Sequence, residues 1–378
     1  MNRRDFLISG LAAGSSALAY GLKPQIQDRV NRVLYDIAQE RKDHPLYFDA
    51  LTFLSGDDAD IRRSGLSGFI WDISKGRIEE NRYIREINPT LKYMAETLKF
   101  LRSNDLGLFL AVKGSSITEA HRNGKTAVIF QSQSAEPFTN DLEMMNVFYE
   151  MGLRISQMTH HYGNDFAGGA LVKEWTGLTE LGYNAIEKMC ELGIIPDLSH
   201  ANEILADDIL KTSTIPVIAS HTGCRALVNN ARCLPDKIIK GIADSGGVVG
   251  IFAMSFWLTE ENTATNESYI KQIEHVINVG GADAVGISND YSIAGQPEGV
   301  RNNNDNSKVA PLYHPWWKQH EGILGFEKLP EHVFIPDMNN VRRMFVIQKE
   351  LEKRKYLTTD IEKIMGGNWV RVFTDVLG

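Results

Sequence analysis

Short apolar runs rich in β-branched and aromatic residues recur along the chain, at residues 47–53, 67–73, 126–131, 154–159, 194–199, 216–220, 247–253 and 284–288. Most are nearly continuous in hydrophobicity, as expected of parallel strands buried on both faces. Helical patterns separate them. The clearest follows Thr179, an expected N-cap, and places Leu181, Ala185, Met189 and Leu192 on one stripe. Strands alternating with helices in this number predict an α/β chain closed as a (β/α)8 TIM barrel, although an open doubly wound sheet also alternates. No glycine-rich phosphate fingerprint follows the first run, which counts against a dinucleotide-binding version of that sheet. No internal repeat is present. The stretch from Gly295 to Lys328, with Asn302-Asn303-Asn304 and Trp316-Trp317, reads as a long loop or lid within one domain covering 25–378.

Composition narrows the class. The chain has 378 residues, 43% of them hydrophobic and 23% charged, ample for a large core. The net charge is -8 with both signs mixed and no basic stripe, which excludes a binder that tracks nucleic-acid phosphates. Cys190, Cys224 and Cys233 are too few for a disulfide scaffold; Cys224 and Cys233 either pair in an oxidising compartment or stay as buried thiols. The start, Met1-Asn2-Arg3-Arg4-Asp5-Phe6-Leu7, precedes a Gly/Ala/Ser-rich stretch that ends at Ala17-Leu18-Ala19. This reads as a twin-arginine signal over 1–19, predicting export to the periplasm or cell envelope. No segment reads as a transmembrane span.

Three of the expected strands end in metal-ligand side chains. They are Pro196-Asp197-Leu198-Ser199-His200, Val217-Ile218-Ala219-Ser220-His221 and Val285-Gly286-Ile287-Ser288-Asn289-Asp290. The first two share a layout of apolar strand, Ser-His, then helix start. A fourth strand ends in Thr159-His160-His161. In a barrel these ends gather at one rim, where imidazoles on neighbouring strands can share a cation. His44, His121, His275, His314, His320 and His332 have no such placement and read as structural or surface residues.

The same segments carry a family resemblance. Gly124-Lys125-Thr126-Ala127-Val128, Leu153-Arg154 through Thr159-His160, Asp197-Leu198-Ser199-His200 and Pro216-Val217-Ile218-Ala219-Ser220-His221 resemble the membrane (renal-type) dipeptidases. So do Gly246-Gly247-Val248-Val249-Gly250 and Gly366-Gly367-Asn368-Trp369-Val370-Arg371-Val372-Phe373. The resemblance implies zinc-dependent hydrolysis of dipeptides by a metal-activated water, and a homodimer. It implies that His200 and His221 hold zinc, that Asp290 contacts metal and water, and that His160 contacts substrate. It also implies that Arg232, with Arg225 as a second candidate, grips the substrate carboxylate.

Departures from that pattern are as informative. The family's first-strand His-x-Asp falls on Leu51 and Phe53, and its bridging glutamate on Gln133. None of these offers an imidazole or a carboxylate, and a neutral amide cannot offset two adjacent dications. The expectation is therefore one zinc ion, held by His200, His221 and Asp290, a set that suffices for a catalytic site. Asp290 and His160 are the expected catalytic residues, and Arg232 and His160 bind substrate. The alternative is a catalytically silent barrel that binds dipeptide-like ligands, with another amidohydrolase-type activity such as deacylation as a third reading.

Overall fold

A computed structural model describes residues 44–295 and 333–378, apart from 55, 56, 58, 80, 81, 105, 140, 262 and 263. The expected signal at 1–19, His314, His320, His332 and nearly all of the loop expected from Gly295 to Lys328 lie outside the described residues. The strands are β1 (Phe48–Asp49), β2 (Thr52–Phe53), β3 (Gly68–Asp72), β4 (Gly76–Glu79), β5 (Arg82–Arg85), β6 (Leu108–Leu110) and β7 (Thr126–Ser132). They continue with β8 (Leu153–Ser156), β9 (Ile195–Pro196), β10 (Ala219–Cys224), β11 (Cys233–Leu234), β12 (Val249–Ile251), β13 (Val285–Ile287) and β14 (Tyr291–Ser292).

Parallel pairing runs β1–β3–β7–β8–β9 and, separately, β10–β12–β13. The Asp197–Ile218 bridge joins the two sheets, with Leu198 N donating to Ile218 O at 2.7 Å. The circle closes where Ala50 N donates to Ile287 O at 3.1 Å and β14 pairs in parallel with β2. Each strand of this closed (β/α)8 barrel overlaps one of the apolar runs read from the sequence, although β7, β8 and β10 extend past theirs by one to four residues. The remaining strands flank it: β6 on β7, β11 on β10, and an antiparallel β4–β5 hairpin.

Alternation along each strand decides what fills the barrel. Phe48, Ile70, Ile129, Ile155, Ile195, Ile218 and Val248 form one buried cluster with Trp369, Val372 and Phe373 of the C-terminal helix Asn368–Leu377. Their strand neighbours Phe69, Trp71, Val128 and Phe130 belong to the other cluster, against the surrounding helices. Trp369 needs bare backbone beside it. A Cβ on Gly286 would fall 2.3 Å from its Nε1, so β13 carries glycine at that point. Towards the strand C-termini the buried residues turn polar: Gln131, Gln157, Asp197, Ser220 and His221 are each at most 2% exposed.

The helix Glu180–Leu192 starts at Thr179 as expected, its side chain accepting from Gly182 N at 3.1 Å. Its buried stripe is Gly182, Ala185, Ile186 and Met189, so Leu181 and Leu192 sit at the edges of that face. Cys224 and Cys233 are free thiols, because the β10–β11 register sets Cys224 opposite Leu234. Burial pushes the Cys233 thiol up to about 12, which leaves it unreactive at neutral pH. His121 bonds Ser67 and His275 pairs with Asp236 at 2.7 Å, both away from the rim.

Candidate metal centre and its pocket

The Ser-His dipeptides of β9 and β10 are organised by one carboxylate. Asp197 accepts from Ser199 N at 2.9 Å, Ser199 Oγ at 2.8 Å, Ser220 N at 2.8 Å and Ser220 Oγ at 2.5 Å. Gln157 Nε2 donates to it at 2.9 Å, and so does Gln131 Nε2. His200 and His221 follow directly in the chain, so both imidazoles ride on backbone pinned to Asp197. Ser199 Oγ also accepts from His221 N at 2.9 Å, tying the two strand ends together.

This network assigns the tautomers. Ser220 Oγ spends its proton on Asp197, so it accepts from His221 Nδ1, 2.8 Å away. His221 then presents a lone pair at Nε2, which stands 2.8 Å from Nε2 of His200. Arg232 Nη2, which can only donate, lies 3.3 Å from that same His200 nitrogen. His200 Nε2 is therefore an acceptor, and its proton sits on Nδ1, facing His161 Nδ1 at 3.2 Å. A divalent ion that took the place of the Arg232 contact on His200 Nε2 would be shared by these two unprotonated nitrogens. Burial, followed by the charge of Arg232, holds both imidazoles well below the usual histidine range, so they are neutral ligands near pH 7. The donor chemistry fits one divalent ion.

Backbone strain marks the same place. His200 and Asp290 have φ of 68° and 61°, left-handed values that non-glycine residues adopt at a cost of about 1–2 kcal/mol. Asp290 lines the pocket beside His200, and burial raises its carboxyl to about 7 despite the nearby charge of Arg232. Among the described residues, the histidines whose nitrogens all lie within 4.8 Å of one another are His160, His161 and His200. Asp290 stands outside that group, and His221 meets it only through His200.

The pocket encloses about 400 Å³ and is lined by His160, His161, His200, Asp290, Gln133 and Arg85, among others. That volume suits a small ligand. Neither His221 nor Arg232 lines it; both lie behind His200. Arg232 packs under the Trp257 and Phe252 rings, at 5.1 and 5.6 Å, and burial lowers it to about 10. Of the two carboxylate-clamp candidates, Arg225 is committed to Glu203 at 2.9 Å, which leaves Arg232. Where a second ion's ligands would be expected, Leu51 is fully buried and Phe53 lines the pocket. Gln133 is anchored through its backbone N to Asp72. Asp49 points away from the pocket and accepts from Asn289 Nδ2 at 2.6 Å.

Sequence reasoning brought the four imidazoles to one rim, as the structure has them, but assigned no part to Asp197 or the β4–β5 hairpin. The Asp-x-Ser-His and Ser-His layouts held the signal for Asp197, since a buried carboxylate two residues before a serine favours a turn bond to that serine.

The raised Asp290 carboxyl gives a pH signature for metal-free protein. Its folded pKa of about 7 exceeds the unfolded value of 3.8, so its ionisation costs stability as pH rises through that window. Asp290→Asn is therefore expected to be more stable than the parent at pH 8 after chelation, with the advantage shrinking as pH falls and gone only below the unfolded value of 3.8. Thermal melts of the pair across pH check this; a difference independent of pH would refute the buried-charge account.

The chain aligns with known proteins over most of its length. A sequence model of the membrane dipeptidase family (Peptidase family M19) matches residues 28–315. Dipeptidase tcpJ of Claviceps purpurea is 27% identical over 271 residues, covering 71% of this chain and 55% of that protein. An uncharacterized dipeptidase of Schizosaccharomyces pombe is 28% identical over 240 residues, 60% of this chain and 57% of that one. The chain thus spans little more than half the length of these curated relatives. Among solved structures, an amidohydrolase from Pseudomonas aeruginosa superposes with a TM-score of 0.74 at 24% identity, covering 91% of this chain and 99% of that one. A metallopeptidase from Rhodobacter sphaeroides, liganded with a phosphinate mimic of L-Ala-D-Ala, gives 0.71 at 18%, covering 88% and 100%. At these identities the likeness bears on the fold, and it agrees with the closed barrel.

Proposed function

Since the chain belongs to the membrane dipeptidase family, we propose that it is a metal-dependent hydrolase of dipeptides or closely related amides, working with a single zinc ion. The observation that carries this reading is the facing pair of neutral imidazole nitrogens, His200 Nε2 and His221 Nε2, 2.8 Å apart in a buried site. Those two and the Asp290 carboxylate are the residues that would hold the ion. Zinc in such a set polarises a carbonyl and acidifies water towards neutrality.

The chain's own groups do the rest. His160 lines the pocket as a neutral imidazole, kept so by burial first and the Arg85 charge second, and donates to the oxygen on which negative charge develops. Asp290 would hold the ion as an ionised carboxylate, because the ion's charge outweighs the burial that raises its carboxyl to about 7 in the metal-free chain. Arg232 has an Nε without a partner among the described residues, but it lies behind His200 and outside the pocket wall, so a grip on the substrate's terminal carboxylate would require His200 to give way. A silent ligand-binding barrel is the less favoured reading. Unpaired buried cations and converging imidazoles are costly to keep, and an inert scaffold gains nothing from them.

Residues 25–378 are read as one barrel domain that follows a twin-arginine leader. The support for export is Arg3-Arg4 and the small-residue stretch after them. A homodimer is supported by the family resemblance alone. No helix among the described residues is long and apolar enough to cross a membrane.

The test is a dipeptide panel assayed on chelated and zinc-reloaded protein, with bound metal measured in parallel. Turnover that appears with about one zinc per chain and vanishes with chelator supports the hydrolase. Saturable dipeptide binding without turnover at any metal load supports the silent barrel.

A further inference from the structure

The β4–β5 hairpin brings a second buried guanidinium to the pocket. Arg85 ends β5, is 5% exposed and lines the cavity with His160. Among the described residues, its side chain donates only to the Tyr83 carbonyl, at 3.3 Å, and lies over the Tyr83 ring, 4.9 Å from its centre. Among the same residues its buried Nε has no partner and no ion pair compensates its charge. Glu136 accepts from Arg82 Nη2 at 3.1 Å and from the Arg85 backbone N at 3.0 Å. Asp72 accepts from Ser74 N at 2.9 Å and Ser74 Oγ at 2.6 Å. Both carboxylates influence the Arg85 guanidinium through space without bonding to it, and burial still lowers its affinity for the proton.

A desolvated cation left unpaired costs several kcal/mol, and the hairpin carries no packing need for one. The compensating charge then comes from what enters the cavity. Arg85 and Arg232 both act on His160, so two positive charges stand near the histidine cluster. We propose that Arg85 is a second anion-binding residue, and that the pocket selects dipeptide-like amides bearing a second carboxylate besides the terminal one. This rests on the dipeptide reading of the pocket and names the class of dipeptide: one with an acidic side chain, its second carboxylate a few bonds from the amide.

Acid and amide twins test it: Ala-Glu against Ala-Gln, and Glu-Ala against Gln-Ala, titrated calorimetrically into zinc-loaded full-length protein, with turnover followed separately. The acidic member of at least one pair is expected to bind tenfold or more tightly. Arg85→Met should reduce that preference to within about twofold, by weakening the acidic member more than its amide twin, and should not lower the melting temperature. Arg85→Lys should keep the direction of the preference. Equal affinity for both twins, a preference that survives Arg85→Met, or no binding by any member overturns the assignment. If Arg85→Met fails to fold, the wild-type twins and the lysine variant still decide. An acid preference without turnover would uphold Arg85 and count against hydrolysis.

Discussion

Asp197→Ala is expected to destabilise the protein by about 3–5 kcal/mol, the range for removing one member of a buried, charged hydrogen-bond network. The carboxylate collects donors from strands β7 and β10, from Gln157 just beyond β8 and from Ser199 just beyond β9. Without it, Gln131, Gln157, Ser199 and Ser220 are left with buried donors, each costing about 1–3 kcal/mol if unmet. Denaturant melts at pH 7 measure the loss. Asp197→Asn separates folding from positioning, because it keeps the volume but turns an amide N–H2 towards these donors. Where that variant folds, Ser220 no longer fixes the His221 tautomer. Metal affinity should then fall roughly 10–100-fold, as for other losses of an outer partner of a ligand histidine. Full stability and unchanged zinc affinity in both variants would refute the role of Asp197.

The second large effect is on activity. His221→Ala should lower zinc-dependent turnover by more than the roughly 100-fold upper range for outer-partner losses, because it removes a ligand itself. Zinc content should fall with it while the fold is kept. His221 touches polar neighbours, Ser220 and His200, and contributes little to the apolar barrel filling. A parallel His161→Ala distinguishes the two histidine groupings. If the ion is shared by His200 and His221, His161→Ala retains metal; if it sits among His160, His161 and His200, it loses it. Elemental analysis of the three purified proteins reads this directly.

What the chain revealed on its own follows from how each feature is encoded. The barrel strands were legible because parallel strands buried on both faces must be apolar along their length, as in Val128-Ile129-Phe130 and Val217-Ile218-Ala219. The β4–β5 hairpin was not. Charged residues Arg77, Glu79, Arg82 and Arg85 interrupt it, and β4 is exposed from Arg77 to Glu79, so the stretch carries no apolar run. Likewise β6, three residues from Leu108 to Leu110, is too short for periodicity to register. At the site, His200, His221, His160 and Asp290 were found because strand C-termini gather at one rim. The Asp-x-Ser layout signals the bond from Asp197 to Ser199, but its bond to Ser220, 23 residues away, is a tertiary fact that no local pattern prints. The position of Arg232 behind His200 is of the same kind. Its place in the sequence matches a clamp, but only packing under Trp257 and Phe252 reveals that the pocket wall is formed by other residues.

Anomalous diffraction at the zinc edge, on crystals of the zinc-loaded chain, bears most directly on the metal assignment. One peak per chain is predicted, about 2.0–2.1 Å from Nε2 of both His200 and His221, with an Asp290 oxygen completing the protein ligands. A peak centred instead among His160, His161 and His200, a second peak beside Gln133, or none at all would contradict it.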